Sequence, residues 1–243
     1  MLGLVLAIVA SRILGGASFR TATVAWSPAL LTWLGYLAVW VPLGAAVAVV
    51  VWPTFRAAFR PAARPPAAAV APPAAALGLA RWFSWRDLIW GCAAGLIARG
   101  LATVASIALT GFTGLAASPT LGGAPAASLL VVMVVAPVIV APLVEELFFR
   151  GLLQGALTSA FSPAGAARAD PLSRWTAAAV TALVFAALHV LVAPAAPTAL
   201  TLASTFVLGL FAGGLVASTG RLGGAIIAHV VFNGVAVLLT WPR

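Results

Sequence analysis

The chain of 243 residues is 63% hydrophobic and 7% charged, with a mean hydropathy of +1.15; soluble domains carry roughly a quarter charged residues. A water-soluble domain is excluded, and an integral membrane protein is indicated. The net charge of +9 comes from arginines spaced between apolar runs, with no lysine, so nucleic-acid binding is excluded as well.

In chain order, the first apolar run covers residues 1–17 and is interrupted by Arg12. No basic residue precedes Leu2 to Val9, so the run reads as a possible N-terminal seventh span and not as a cleaved signal peptide. The first clear span is 28–52. Thr54 to Ala76 follows, where Pro61, Pro65, Pro66, Pro72 and Pro73 deny a regular helix and predict a flexible linker. Further spans are expected at 88–115, 127–157, 175–193, 198–218 and 223–240, each near the roughly 20 residues that a helical crossing needs. The expected fold is therefore an all-α, polytopic transmembrane helix bundle of six spans plus the possible seventh. Residues 1–87 form the N-terminal membrane segments with a Pro/Arg-rich cytoplasmic linker, and 88–243 a membrane-embedded domain.

Orientation follows from the arginines, because cytoplasmic loops are enriched in them. Arg56, Arg60, Arg64, Arg81 and Arg86 place the linker inside, and alternation then puts Arg168, Arg174 and Arg221 inside too, leaving Arg20 and Arg243 outside. Gly91 with Gly95 and Gly209 with Gly213 have the spacing of close helix packing in lipid. Cys92 has no partner for a disulfide or a multi-cysteine metal site. The all-arginine, alanine-rich composition suggests a GC-rich coding sequence, hence a bacterial inner (cell) membrane.

Within these spans lie groups that the bilayer should reject, since a charge at its centre costs roughly 2.5–3.5 kcal/mol on insertion scales. Both glutamates, Glu145 and Glu146, share one apolar span, and both histidines, His189 and His229, lie in two others. Their confinement to the membrane points to a functional cluster. Glu146 and Arg150 are spaced i,i+4 with the acid first, the favourable order for an ion pair. Glu145 points about 100° away and faces something else, as a desolvated carboxylate suited to act as a base. Helical rise puts Glu145, His189 and His229 about 18, 21 and 12 Å from the cytoplasmic helix ends, compatible with one cluster. Asn233 shares the face of His229 one turn on and offers amide donors. Pro137 and Pro142 predict a kink beside the glutamates, one that lines a cavity or is packed in protein. Gln154, Thr158 and Ser159 read as interfacial polar residues, Arg12 as a snorkelling one, and Arg99 as facing inward onto a carbonyl or carboxylate.

The string Glu145-Glu146-x-x-x-Arg150, then Phe185-x-x-x-His189, then His229-x-x-x-Asn233, each in its own apolar span, resembles the CPBP family of CAAX proteases and bacteriocin-processing enzymes, also called Abi. The resemblance covers roughly 127–240 and implies an intramembrane endopeptidase with a hydrophilic cavity open toward the cytosol. It implies that Glu145 and His189 position and deprotonate the attacking water, that His229 and Asn233 stabilise the oxyanion, and that Glu146 with Arg150 holds the helix. Implied partners are a peptide or protein substrate at the membrane, prenylated or a secreted peptide, and the lipid bilayer. Family members have also been called metalloproteases, and Glu145, His189 and His229 would be an adequate zinc set. A metal-free glutamate mechanism is preferred, with no cofactor required, because the chain lacks an HExxH arrangement. The alternatives are a non-catalytic membrane scaffold or bacteriocin self-immunity protein of the same fold, and a transporter, for which the chain lacks the expected internal repeat.

Overall fold

A computed structural model describes residues 1–23, 25–58, 83–113, 115, 127, 130–163, 169–192 and 199–240. Arg60, Arg64, Arg81, Arg168 and Arg243, with the linker beyond Ala58, lie outside the described residues, as do the side chains of Arg20 and Arg56. Two helices open the chain, α1 (Leu2–Gly15) and α2 (Ala17–Ala22), followed by α3 (Pro28–Ala58) and α4 (Arg86–Thr110). Then come α5 (Val131–Phe161), α6 (Pro171–Val192), α7 (Ala199–Thr219) and α8 (Gly223–Thr240).

The six helices from α3 to α8 are each long and apolar enough to cross a membrane. The possible seventh span is a 14-residue helix, α1. At 1.5 Å per residue it covers about 21 Å, short of a roughly 30 Å hydrocarbon core. It packs by one face against α3 and α6, with Leu4 and Ala7 buried and Leu2, Val5, Leu6, Val9 and Ile13 exposed. The expected linker start at Thr54 is also corrected, since α3 runs on through Pro53 to Ala58.

Apolar side chains cannot drive helices together in lipid, so close approach depends on small residues. Both glycine pairs serve this purpose. A methyl group on Gly91 would lie 2.7 Å from Ile227 Cβ, and one on Gly95 would lie 2.5 Å from the Ala228 carbonyl, so α4 and α8 touch backbone to backbone. On Gly209 and Gly213 it would lie 2.9 Å from Ala182 Cβ and 3.1 Å from Ala178 Cβ, which sets α7 against α6. Around these contacts Leu43, Phe148, Phe149, Phe185, Leu208 and Phe232 form the main core.

Polar ties fix one end of the bundle. Arg221, in the turn between α7 and α8, donates to both oxygens of buried Asp87 at the start of α4, through Nε at 3.0 Å to each and Nη2 at 2.7 Å to Oδ1. Asp87 also accepts the Ser84 amide at 2.7 Å. Elsewhere, Asp170 caps α6 by accepting the Ser173 amide at 3.0 Å, and Ser173 Oγ donates to the Phe161 carbonyl at 3.0 Å, joining the end of α5 to the start of α6. The first tie brings the start of α4 to the turn between α7 and α8, and the second joins consecutive ends of α5 and α6.

Candidate active site

Helix α5 is not uniformly α-helical. Val131–Val140 and Leu147–Leu153 are π-helical, on either side of the α-helical Ala141–Glu146. For the first of these segments the prolines supply a cause. The Ala141 amide bonds back to the Ala136 carbonyl, five residues earlier. In that register the next carbonyl, Pro137, needs the amide of residue 142, and Pro142 has none. Asn233 Nδ2 on α8 donates to the Pro137 carbonyl at 2.8 Å and supplies the missing partner. The expected kink is thus a widened helix, satisfied by a side chain of the motif.

Glu146 is fully buried, and its Oε1 accepts from Arg150 Nη1 at 3.0 Å and from His229 Nδ1 at 2.8 Å. Arg150, 1% exposed, also donates from Nη2 to the Gly209 carbonyl at 3.3 Å and lies 4.4 Å over the Phe185 ring. These bonds satisfy Oε1 of Glu146 and both terminal nitrogens of Arg150, while Glu146 Oε2 and Arg150 Nε are buried with no hydrogen-bond partner. The glycine that lets α6 and α7 meet therefore also exposes the carbonyl that Arg150 needs.

Glu145, on the neighbouring face, does not join this network. Its Oε2 lies 3.8 Å from His189 Nε2 and has no hydrogen-bond partner. His189 Nδ1 lies 2.9 Å from the Phe185 carbonyl, which can only accept, so Nδ1 carries the proton. In the neutral ring Nε2 is then an acceptor facing Glu145. His189 stands near the far end of α6, because the helix starts at Pro171 and not at 175; it lies about 27 Å along it.

The structure thus brings Glu145 to His189, Glu146 to Arg150 and His229, and Asn233 to Pro137. His229 and Asn233 each have a bond that the oxyanion reading did not include. Among the described residues no three His, Cys, Asp or Glu side chains are grouped as they stand to hold a metal ion. His229 spends its Nδ1 on Glu146, which leaves Nε2 as its free ring nitrogen on the cavity wall shared with Glu145 and His189.

Some partners differ from the sequence expectation. Gln154 is not interfacial; it is 2% exposed and donates to the Gly213 carbonyl at 3.0 Å. Its signal was its spacing, since Glu146, Arg150 and Gln154 repeat every four residues on one face. Asp87 was missed although Ser84-x-x-Asp87 is the pattern of a capped helix start. Arg99 faces inward as expected, donating from Nε to the Phe232 carbonyl at 2.9 Å with its guanidinium carbon 3.6 Å over the Phe232 ring.

Glu145, His189, His229 and Asn233 line one cavity of about 880 Å³. Its walls include Ser11 to Gly16 of α1 and the following turn, Leu31 to Trp40 of α3, Leu188 to Val192 of α6 and Thr205 of α7. Phe148, Phe149 and Arg150, which follow Glu145 on α5 and do not line the cavity, are at most 1% exposed. The cavity therefore extends from Glu145 away from the Asp87–Arg221 tie.

Residues 127–235 match a family model, described as Type II CAAX prenyl endopeptidase Rce1-like. The CPBP resemblance read from the motifs is borne out over that segment, and the match supports an intramembrane endopeptidase in general terms. No curated protein and no solved structure matches the chain.

Proposed function

We propose that this multi-span membrane protein, whose residues 127–235 belong to the Rce1-like family, cleaves peptide bonds with water activated by Glu145 and His189. The observation that carries this reading is the pair of acceptors, Glu145 Oε2 and His189 Nε2, facing each other at 3.8 Å. A water molecule has two protons to offer such a pair, and its oxygen lone pairs then point into the cavity. Glu145 takes one proton as the oxygen attacks the carbonyl carbon. The same proton passes to the leaving nitrogen as the C–N bond breaks, giving a carboxylic acid, which keeps the second proton of the water, and an amine; that proton then moves to the amine to give carboxylate and ammonium. Asn233 has a second amide proton, and it stands with His229 on the cavity wall where the carbonyl oxygen gains charge. Glu146 and Arg150 act through position, holding α5 and His229.

The composition supports a bacterial cell membrane as the location. Cleavage of a quenched fluorescent peptide library by detergent-purified protein tests the reading. Glu145→Gln should lose about 10²–10⁴-fold in rate, the usual share of a general base, while its unfolding midpoint stays the same. Equal rates for the two proteins would reject Glu145 as the base. Loss of wild-type activity to a chelator, with recovery on added Zn²⁺, would instead move the mechanism to a metal.

A further inference from the structure

We infer that Arg99 is a positioning residue of the proposed cleavage, fixing a positive charge behind the cavity wall that favours the negative charge gained by the substrate's carbonyl oxygen. The inference rests on the endopeptidase reading and adds to it a residue outside both the motifs and the matched segment. Gly91, Gly95 and Arg99 follow one another at four-residue intervals on the face of α4 that meets α8. Their counterparts on α8 keep the same step. A Cβ on Gly91 would lie 2.8 Å from the Gly224 carbonyl and one on Gly95 2.5 Å from the Ala228 carbonyl, while at the third step Arg99 Nε donates to the Phe232 carbonyl at 2.9 Å. The glycines bring the two backbones together, and the guanidinium then meets the next carbonyl in the row. His229 follows Ala228 and Asn233 follows Phe232, so the register in which Arg99 is held is also the one that presents both cavity-lining residues. The carbonyl does not depend on this bond, because Phe232 lies inside α8, where the helical pattern serves it with the Ala236 amide.

What the bond places is a charge. Arg150 is paired with Glu146 and Arg221 with Asp87, whereas Arg99, in the middle of α4, pairs with no carboxylate among the described residues. An ionisable group inside a span is costly to keep there and calls for a partner of opposite charge or a function. The Arg99 guanidinium carbon lies 3.6 Å over the Phe232 ring, and Phe232 lines the cavity beside His229 and Asn233, while Arg99 itself does not. Substrate therefore cannot touch the charge, but its field reaches the place where His229 and Asn233 face the reacting carbonyl. With an effective dielectric constant of about 20, a unit charge within about 10 Å of an oxyanion is enough for roughly a tenfold change in rate. A charge already fixed in place needs no reorganisation as the oxyanion forms. The missing counter-ion of Arg99 is thus the transient anion of the reaction.

Two substitutions in the full chain separate charge from packing. Arg99→Gln keeps a donor for the Phe232 carbonyl and removes the charge; Arg99→Lys keeps the charge but cannot reproduce the flat stacking on the ring. With a peptide that the wild type cleaves, Arg99→Gln should lower kcat about tenfold and change KM less than about twofold, while Arg99→Lys stays within about threefold of the wild type. Equal losses in the two variants would assign Arg99 to packing, and an unchanged kcat in Arg99→Gln would remove it from the reaction. A second readout needs no turnover: binding, with a chelator present, of a peptide phosphinate, an anionic mimic of the tetrahedral intermediate, against its neutral hydroxyethylene counterpart. The wild type should prefer the phosphinate, and Arg99→Gln should reduce that preference about tenfold. Wild-type protein that binds the phosphinate no better than the neutral ligand overturns the inference even where Arg99→Gln does not fold. Cleavage by the wild type with kcat unchanged in Arg99→Gln rejects this inference alone, whereas absence of cleavage by the wild type rejects the endopeptidase reading and this inference with it.

Discussion

Asn233 and Pro137 are joined across the bundle by a 2.8 Å bond from the side-chain amide of one to the backbone carbonyl of the other. The bond exists because Pro142 cannot serve that carbonyl within its own helix. A residue assigned to chemistry by its motif thus also holds the π-helical segment of α5 in shape. Asn233→Ala should lower the unfolding midpoint in detergent, since leaving a buried acceptor unsatisfied costs about 1–3 kcal/mol. Asn233→Asp should be worse, because a carboxylate has no proton to donate. A midpoint unchanged in both would show that the carbonyl has no need of its partner.

The Glu146, Arg150 and His229 network gives a sharper contrast. Arg150→Met leaves Glu146 charged and buried with one donor, and should cost about 3–5 kcal/mol, visible as loss of folded protein on extraction. Adding Glu146→Gln to that variant removes the stranded charge. The double variant should therefore yield more folded protein than Arg150→Met alone, and equal or lower yields would refute the pairing as the cause.

Two glycines on α4 should respond in opposite ways. Gly95→Ala places a methyl group 2.5 Å from the Ala228 carbonyl, where neither helix can yield, and overpacking of this kind costs about 1–3 kcal/mol. Gly100→Ala meets nothing within 4 Å and should gain up to about 1 kcal/mol from helix propensity. Thermal midpoints of the two variants, measured side by side, check the order.

The Asp170 cap predicts an acid-side effect. Bonds from the Ser173 hydroxyl and amide hold the Asp170 carboxyl below the usual carboxylate range. The folded value therefore lies below the unfolded one, so the cap's contribution is present above the unfolded pKa and is lost as pH falls through the folded one. Exchange of the Ser173 amide, normalised to an unstructured peptide, should quicken over that window. In Asp170→Asn, which accepts without titrating, the acceleration should be absent.

Much of this arrangement could be read from the residues themselves. Six spans follow from counting apolar runs, and the site candidates from finding Glu145, Glu146, His189 and His229 where the membrane admits few charges. The pairing of Glu146 with Arg150 follows from helical spacing alone. What escaped was whatever depends on two segments meeting. The Asp87–Arg221 tie joins residues 134 apart, and nothing in either neighbourhood names the other. The Pro137 carbonyl could be known to lack a donor only once the helix was seen to run in π register. The direction of the cavity depends on which helix ends surround Glu145, a matter of tilt and neighbours, not of composition.

Helices α1 and α3 carry none of the motif residues and lie before the matched segment, yet Ser11 to Gly16 and Leu31 to Trp40 form one side of the cavity. The reacting groups and much of the surface that a substrate would touch are thus written in separate stretches of the chain. On the proposed reading, variation among the first forty or so residues would change which peptides fit and leave Glu145 and His189 in place, so a chimera carrying a foreign N-terminal portion should alter selectivity and keep the chemistry.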